Sequence, residues 1–239
     1  MEIIINKIEK LKEIIAVSKN YLTEITLEFN QNGIRCTNLN SNNCVMIHFQ
    51  ILYMEFEKIE NATITLNTNI FNSILKNCKG RTIFNIVEGK LNITNLECLY
   101  SIDILEENEE AKNNLQKVPE LIYTDNIEVM TSDFLDVIKK ASSIKSQNVE
   151  GIYFSNIDDK MTIIAKKHEE IIFNSSIKIL NNPKEQNGLY SIEFLKKLNG
   201  LKKLNRYTNI QYIKDYPLTI SLESVDFKFK FILAPRAEY

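Results

Sequence analysis

The chain has 239 residues, 44% hydrophobic and 25% charged, with a formal net charge of −2. That is ordinary globular material, enough for one large or two medium domains, and two of about 110 to 120 residues each is the expected division. Lys and Glu interleave the apolar residues of Met1–Ile15, so no run has the length or purity of a signal peptide or a membrane span. A cytoplasmic or nuclear address with no membrane partner is expected. The four cysteines (Cys36, Cys44, Cys78, Cys98) lie far apart without Cys-x-x-Cys spacing, and the histidines are His48 and His168. Reduced, mostly buried thiols are expected, with no metal and no cofactor.

In chain order, residues 6–20 carry a helical pattern, followed by strand patterns at 20–29, 34–39 and 45–52. A second helix is predicted at 69–80, then strands at 81–87, 91–95 and 100–105. Glu106–Pro119 is polar, acidic and closed by a proline, the composition of a connector. A third helix at 131–145 leads into strands at 151–156, 161–165 and 170–180. A fourth at 190–204 leads into strands at 209–213, 219–222 and 227–233.

Two sets of internal echoes organise these elements. Gly33-Ile-Arg-Cys-Thr-Asn-Leu-Asn40 returns 118 positions later as Gly151-Ile-Tyr-Phe-Ser-Asn-Ile-Asp158. Three helical segments, opening at Thr68, Thr131 and Ser191, each offer a Ser/Thr to cap the N-terminus and a Phe in the first turn (Phe71, Phe134, Phe194). The predicted fold class is α+β: two pseudo-repeated domains, 1–105 and 120–239, joined by the connector 106–119, each holding two units of strand, helix and strands.

The net charge hides a segregation. The four helical windows hold 13 lysines against 5 carboxylates, or +8, so the rest of the chain carries −10. At about 100° per residue, Ile70, Phe71, Ile74, Leu75 and Cys78 share one arc of the second helix, with Asn72, Lys76 and Lys79 opposite. In the third, Phe134, Val137, Ile138 and Ala141 face inward while Lys139 and Lys140 point away. In the fourth, Phe194, Leu195, Leu198, Leu201 and Leu204 form the stripe, leaving Lys196 and Lys203 opposite. Lysines on a single helix face are ordinary solvated charge. Four basic helices in an acidic chain instead describe a surface that holds phosphates without reading bases, and lysine, a mobile point charge, suits sliding better than the arginine fork.

The C-terminal run Val225–Tyr239 (VDFKFKFILAPRAEY) and the loop Leu39-Asn40-Ser41-Asn42-Asn43 together resemble the PCNA family of DNA sliding clamps. The similarity extends along the chain through the helix positions and the Val118-Pro119 end of the connector. It implies the DNA-clamp fold, helices lining an inner face and sheets outside, and a homotrimeric ring around double-stranded DNA bound without sequence preference. It implies a processivity role in replication and repair, with DNA polymerase, clamp loader, flap nuclease and ligase as partners that bring short hydrophobic-aromatic motifs. On this resemblance, Lys12, Lys19, Lys76, Lys79, Lys139, Lys140, Lys196, Lys202 and Lys203 would face DNA. Leu39, Cys44, Met46, Val118, Pro217, Ala234 and Pro235 would line the partner-peptide pocket. The ring-closing edges would be a strand near Tyr100–Leu105 and one near Glu170–Ile179. The chain departs from the family pattern at Asn40, where an Asp is usual, and at Ile232, where an aromatic is usual.

The rival classes have little to stand on. None of the six glycines builds a phosphate-cradling loop, no histidine-based nucleophile is arranged, and Asp158-Asp159 reads as a turn, so no catalytic residue is expected. A clamp-fold interaction or transcription factor, or one subunit of a hetero-oligomeric clamp, is the alternative.

Overall fold

The computed structural model describes residues 1–52, 55–106, 118–144, 151–167, 170–181 and 183–236. The central stretch 107–117 of the expected connector, together with Lys145 and His168, lies outside them. The chain forms two compact units, Met1–Val118 with Glu223–Phe229, and Pro119–Leu222 with Lys230–Tyr239.

In the first unit the elements run β1 (Glu2–Ile5), α1 (Glu9–Ser18), β2 (Glu24–Asn30), β3 (Gly33–Leu39), β4 (Val45–Leu52), β5 (Phe56–Lys58), β6 (Ala62–Asn67), α2 (Thr68–Leu75), β7 (Thr82–Val87), β8 (Lys90–Asn95) and β9 (Cys98–Asp103). They pair antiparallel in the orders β5-β1-β7-β8-β9 and β4-β3-β2-β6. β4 shows why this sequence makes a one-sided sheet. Val45, Ile47, Phe49 and Ile51 are buried while Met46, His48, Gln50 and Leu52 are half-exposed, the period of two that a strand with one covered face requires.

The second unit runs β10 (Ile127–Met130), α3 (Thr131–Ser143), β11 (Gly151–Ile157), β12 (Lys160–Lys167), β13 (Glu170–Lys178), β14 (Gln186–Ser191), α4 (Ile192–Leu195), a 3₁₀ segment (Lys196–Lys203), β15 (Tyr207–Gln211), β16 (Leu218–Glu223) and β17 (Phe227–Leu233). One sheet has the order β13-β12-β11-β14, and β10, β15 and β16 pair in sequence in another. β17 gives its first three residues to the first unit and the rest to the second. Its alternation is sharp: Phe227, Phe229 and Phe231 are buried and Lys228 is exposed, each ring contributing about 2–3 kcal/mol by leaving water.

The helix echoes become core geometry. Phe71 of α2 meets Phe84 edge-on at 6.1 Å, and Phe134 of α3 meets Phe154 edge-on at 6.0 Å. Phe194 breaks the pattern, being only half-buried. The threonines do not cap. Each strand runs straight into its helix, so Thr68 and Thr131 are the first helical residues and turn inward, Thr131 bonding Thr208 at 3.0 Å. The cap of α2 is Asn67, whose side chain accepts from the Asn69 and Ile70 N–H groups at 3.1 Å each, and Ser191 precedes α4 without a side-chain cap.

Three further expectations are corrected. The fourth helix is one α-turn followed by eight residues of 3₁₀, where Asn199-Gly200 interrupts the good helix formers. Asn72 is buried at 3% exposure, and Ile70 stands 51% exposed, so α2 is rotated from its expected arc. Of the thiols, Cys36 and Cys78 are buried, Cys44 is half-buried and Cys98 is exposed.

The second unit also buries tyrosines. Tyr190 donates to the Ile213 and Tyr216 carbonyls (3.2 and 2.8 Å) and Tyr212 to Asn156 (3.2 Å). Burial pushes both phenols well above their ordinary value, and pushes Tyr123 up to about 12. The fold therefore favours the neutral phenols. Their contribution to stability is complete below about pH 10, the unfolded value, and is lost as pH rises towards the folded values. Tyrosinate absorbance followed with circular dichroism on raising the pH will show these three ionising only together with loss of structure. Ionisation of all ten tyrosines in a still-folded chain would contradict it.

Candidate nucleic-acid interface and partner loop

The lysines of the first unit divide by what they touch. Lys10 pairs with Asp226 at 3.5 Å and sits 4.4 Å from the centre of the Phe227 ring, committed to the turn before β17. Lys12 reaches from α1 to the end of α2 and donates to the Lys76 and Cys78 carbonyls at 2.6 and 3.2 Å. It thereby satisfies two carbonyls at the negative end of that helix. Lys76 and Lys79 point into solvent, and Lys19 is half-exposed.

In the second unit α3 and the 3₁₀ segment are tied by an ion pair between Lys202 and Asp136. The Asp136 carboxyl is held below its ordinary value first by the Lys202 hydrogen bond and then by the nearby charges of Lys202, Lys139 and Lys140. Lys196 pairs with Glu193 at 2.5 Å, while Lys139, Lys140 and Lys203 are exposed. A concavity of about 440 Å³ opens at the start of α3, lined by Met130, Ser132, Lys202, Lys203, Leu204, Asn205 and Arg206. Arg206 was not among the expected basics because it falls two residues beyond the fourth helical window. Its guanidinium lies 5.3 Å from the Tyr207 ring centre, so the positive charge is held over an exposed aromatic.

Both strands expected at ring-closing edges are outermost in their sheets: β9 in the first unit and β13 in the second. Beside β9 runs an open groove of about 400 Å³, lined by Asn69, Ile70, Ser73, Ile74, Asn77 and Tyr100. The exposure of Ile70 follows from this, since its side chain belongs to the groove and not to the core. Leu99 on β9 and Ile171 on β13 are exposed at 70% and 54%. Long apolar edges left open are unusual in a chain that works alone.

The Leu39–Cys44 loop is built on Asn40. Its Oδ1 accepts from the Cys44 and Val45 N–H groups at 3.0 and 2.9 Å, and its own N–H donates to the Val45 carbonyl at 2.9 Å. An amide oxygen serves as acceptor here as a carboxylate would, so Asn at this position keeps the loop closed. Asn43 completes the turn at φ 54°, leaving Ser41, Asn42 and Asn43 exposed. Leu39 and Met46 pair across the hairpin, both half-buried, beside half-buried Cys44, and Val118 in the same unit is also half-buried. In the second unit, Pro217 is half-buried and its carbonyl accepts from Tyr123 Oη at 3.0 Å. Ala234 and Pro235 follow β17, half-buried as well.

No protein-family model matches the chain. A curated DNA polymerase sliding clamp of Methanococcus maripaludis is 24% identical over 246 residues, covering 95% of each chain. The crystal structure of Proliferating Cellular Nuclear Antigen from Entamoeba histolytica superposes with a TM-score of 0.86 at 14% identity, covering 99% of this chain and 98% of that one. The chain is similar from end to end to curated sliding clamps and has the PCNA fold. A further PCNA structure, from A. fulgidus with the C-terminal region of FEN-1 bound, matches at a TM-score of 0.80 and 20% identity over 100% of this chain and 99% of that chain. The PCNA fold thus spans the whole chain at low overall identity. Among the described residues no three His, Cys, Asp or Glu side chains gather where they could hold a metal, and no helix is long and apolar enough to cross a membrane.

Proposed function

We propose that this chain is a clamp subunit without catalytic activity of its own: copies join head to tail into a ring of three, and the ring encloses duplex DNA and tethers replication and repair enzymes. The observation that carries the reading is the pair of unoccupied edges, β9 and β13, in a chain that matches sliding clamps from end to end. An edge strand on each unit supplies the two different surfaces that a heterologous, self-closing contact needs. Exposed lysines just after α2, on α3 and on the 3₁₀ segment would meet phosphates through mobile point charges, with Arg206 as an additional contact. The committed ammonium groups of Lys10 and Lys12 would serve the fold first.

In this reading Leu39, Cys44, Met46, Val118, Pro217, Ala234 and Pro235 receive the apolar plug of a partner's short motif. A DNA polymerase, clamp loader and ligase are the expected partners, and a flap nuclease has support from the FEN-1 segment bound to the similar PCNA. All seven of these residues are half-buried, as anchors for a small peptide interface should be.

Retention on DNA separates a topological link from ordinary binding. The chain assembled on circular duplex will resist a high-salt wash and be released when the circle is cut. Release by salt alone from intact circles would contradict enclosure.

A further inference from the structure

We infer that Cys78 and Cys98 form a redox-active thiol pair that closes as an intrachain disulfide and thereby weakens the β9 edge for self-association. The second half of this inference rests on the proposed head-to-tail assembly; the first stands by itself.

Chain topology brings the two residues to one place. Cys78 lies in the turn that ends α2, its N–H donating to the Leu75 carbonyl at 3.0 Å and its thiol facing the Ile74 carbonyl at 3.5 Å. Cys98 opens β9, paired across the hairpin with Asn95 and so on the same sheet face. Asn95 is 4% exposed and grips the backbone just after Cys78. Its amide nitrogen donates to the Lys79 and Arg81 carbonyls at 2.8 and 3.0 Å and to Thr82 Oγ1 at 2.9 Å, and its oxygen accepts from the Lys79 N–H at 3.2 Å. Two residues along β9, Tyr100 faces the groove with Ile74 and Asn77, the neighbours of Cys78. Cys98 thus sits between Asn95, which bonds the backbone after Cys78, and Tyr100, which lines one groove with residues before it. The groups also sense one another: Tyr100 shares a side-chain hydrogen bond with Cys98, and the charge of each thiolate would raise the Tyr100 phenol.

The two thiols have different tasks. Cys98 is exposed and meets the oxidant first, whereas Cys78 is fully buried. Burial raises the Cys78 thiol, and the Lys12 ammonium beside its carbonyl opposes that rise. With oxidised glutathione as the oxidant, the Cys98 thiolate attacks one sulfur, forming a mixed disulfide and releasing one glutathione thiolate. The Cys78 thiolate then attacks the Cys98 sulfur and expels the second glutathione. Two protein thiols are oxidised, one glutathione disulfide is reduced, and the two thiol protons leave with the glutathiones. Closure draws Cys98 inward, takes it from Tyr100, and moves the wall of the groove flanking β9.

The test uses the whole chain treated with oxidised glutathione and then passed through a reducing control. Intact mass will fall by about 2 Da as two hydrogens leave, with peptide mapping placing the link between Cys78 and Cys98. Cys78→Ser and Cys98→Ser will each abolish it, and Cys36→Ser will not. A stable glutathione adduct on Cys98, a link through Cys36 or Cys44, or no reaction would overturn the pairing. Light scattering on the same samples will show oxidised chains associating at least about tenfold more weakly than reduced ones, with reductant restoring them. Equal association in both states would overturn the effect on the edge. Reduced chains that fail to associate at all would sink the assembly reading, and that effect with it, while leaving the mass result to decide the thiol pairing.

Discussion

Replacing Gly33 with alanine is expected to destabilise the first unit by about 3 kcal/mol or more, among the larger effects a single methyl group can have. Gly33 adopts φ +122°, a region that L side chains rarely enter, and a Cβ there would stand 1.8 Å from the Ile51 carbonyl oxygen. Neither side can yield cheaply. The obstruction is main chain, and Gly33 is locked at the register Gly33↔Leu52 and Asn30↔Gly33 between two neighbouring strands. For a chain of this length the thermal midpoint should fall by roughly 6–12 °C. Gly89→Ala is the reference: it also has positive φ, at +74°, but nothing lies within 4 Å of the added carbon. That variant should lose only about 1–2 kcal/mol. Equal midpoints for the two variants would show that the Ile51 contact relaxes at little cost.

The second large effect concerns charge. Changing Lys76, Lys79, Lys139 and Lys140 to glutamate will flatten the salt dependence of DNA association by about four in the log–log slope per chain, and should lower affinity at moderate salt by orders of magnitude. Lys76 and Lys79 follow α2 and Lys139 and Lys140 belong to α3; all four are exposed, and their removal touches no core contact. Lys12→Glu is the informative contrast. Its ammonium holds the end of α2 through two carbonyls, so this variant should lose stability as well as binding. If the fourfold variant binds DNA with an unchanged slope, these helix faces do not meet phosphates.

Much of this was legible in the sequence, for identifiable reasons. β4 and β17 match their expected bounds to the residue because β4 alternates throughout, β17 alternates over its first five residues, and each is preceded by polar turn residues. The strands that periodicity missed, β1, β5, β6, β10 and β14, are short or run into a helix without a turn between. Ala62–Asn67 passes directly into Thr68, so nothing punctuates the boundary. β14 was hidden by Gly188, which weakens strand propensity; the Tyr190 ring lies against it, 2.7 Å from where a Cβ would stand. The rotation of α2 was beyond a hydrophobic arc alone. Ile70 is apolar because it lines a groove beside a free edge, a role that looks identical to core burial when only one chain's pattern is read. Likewise Lys10, Lys12 and Lys202 counted as free charge in the sequence, yet the fold spends them on Asp226, two helix-end carbonyls and Asp136.

The thin identity to the curated clamps fits this picture. What repeats between the two units is a geometry, a strand entering a helix whose first-turn Phe meets an aromatic on a neighbouring strand, as Phe71 does with Phe84 and Phe134 with Phe154. Many sequences can satisfy that arrangement, and volume-conserving exchanges in such cores are tolerated. The Asn40 loop makes the same point on the surface, because acceptor geometry and not charge closes it.

The most direct test of the central claim is the mass of the reduced, purified chain in solution, measured by light scattering across a concentration series. Closed head-to-tail assembly predicts a plateau at three times 27.8 kDa that does not grow with further concentration. A persistent monomer, or a mass that keeps climbing as open filaments would, contradicts a self-closing ring.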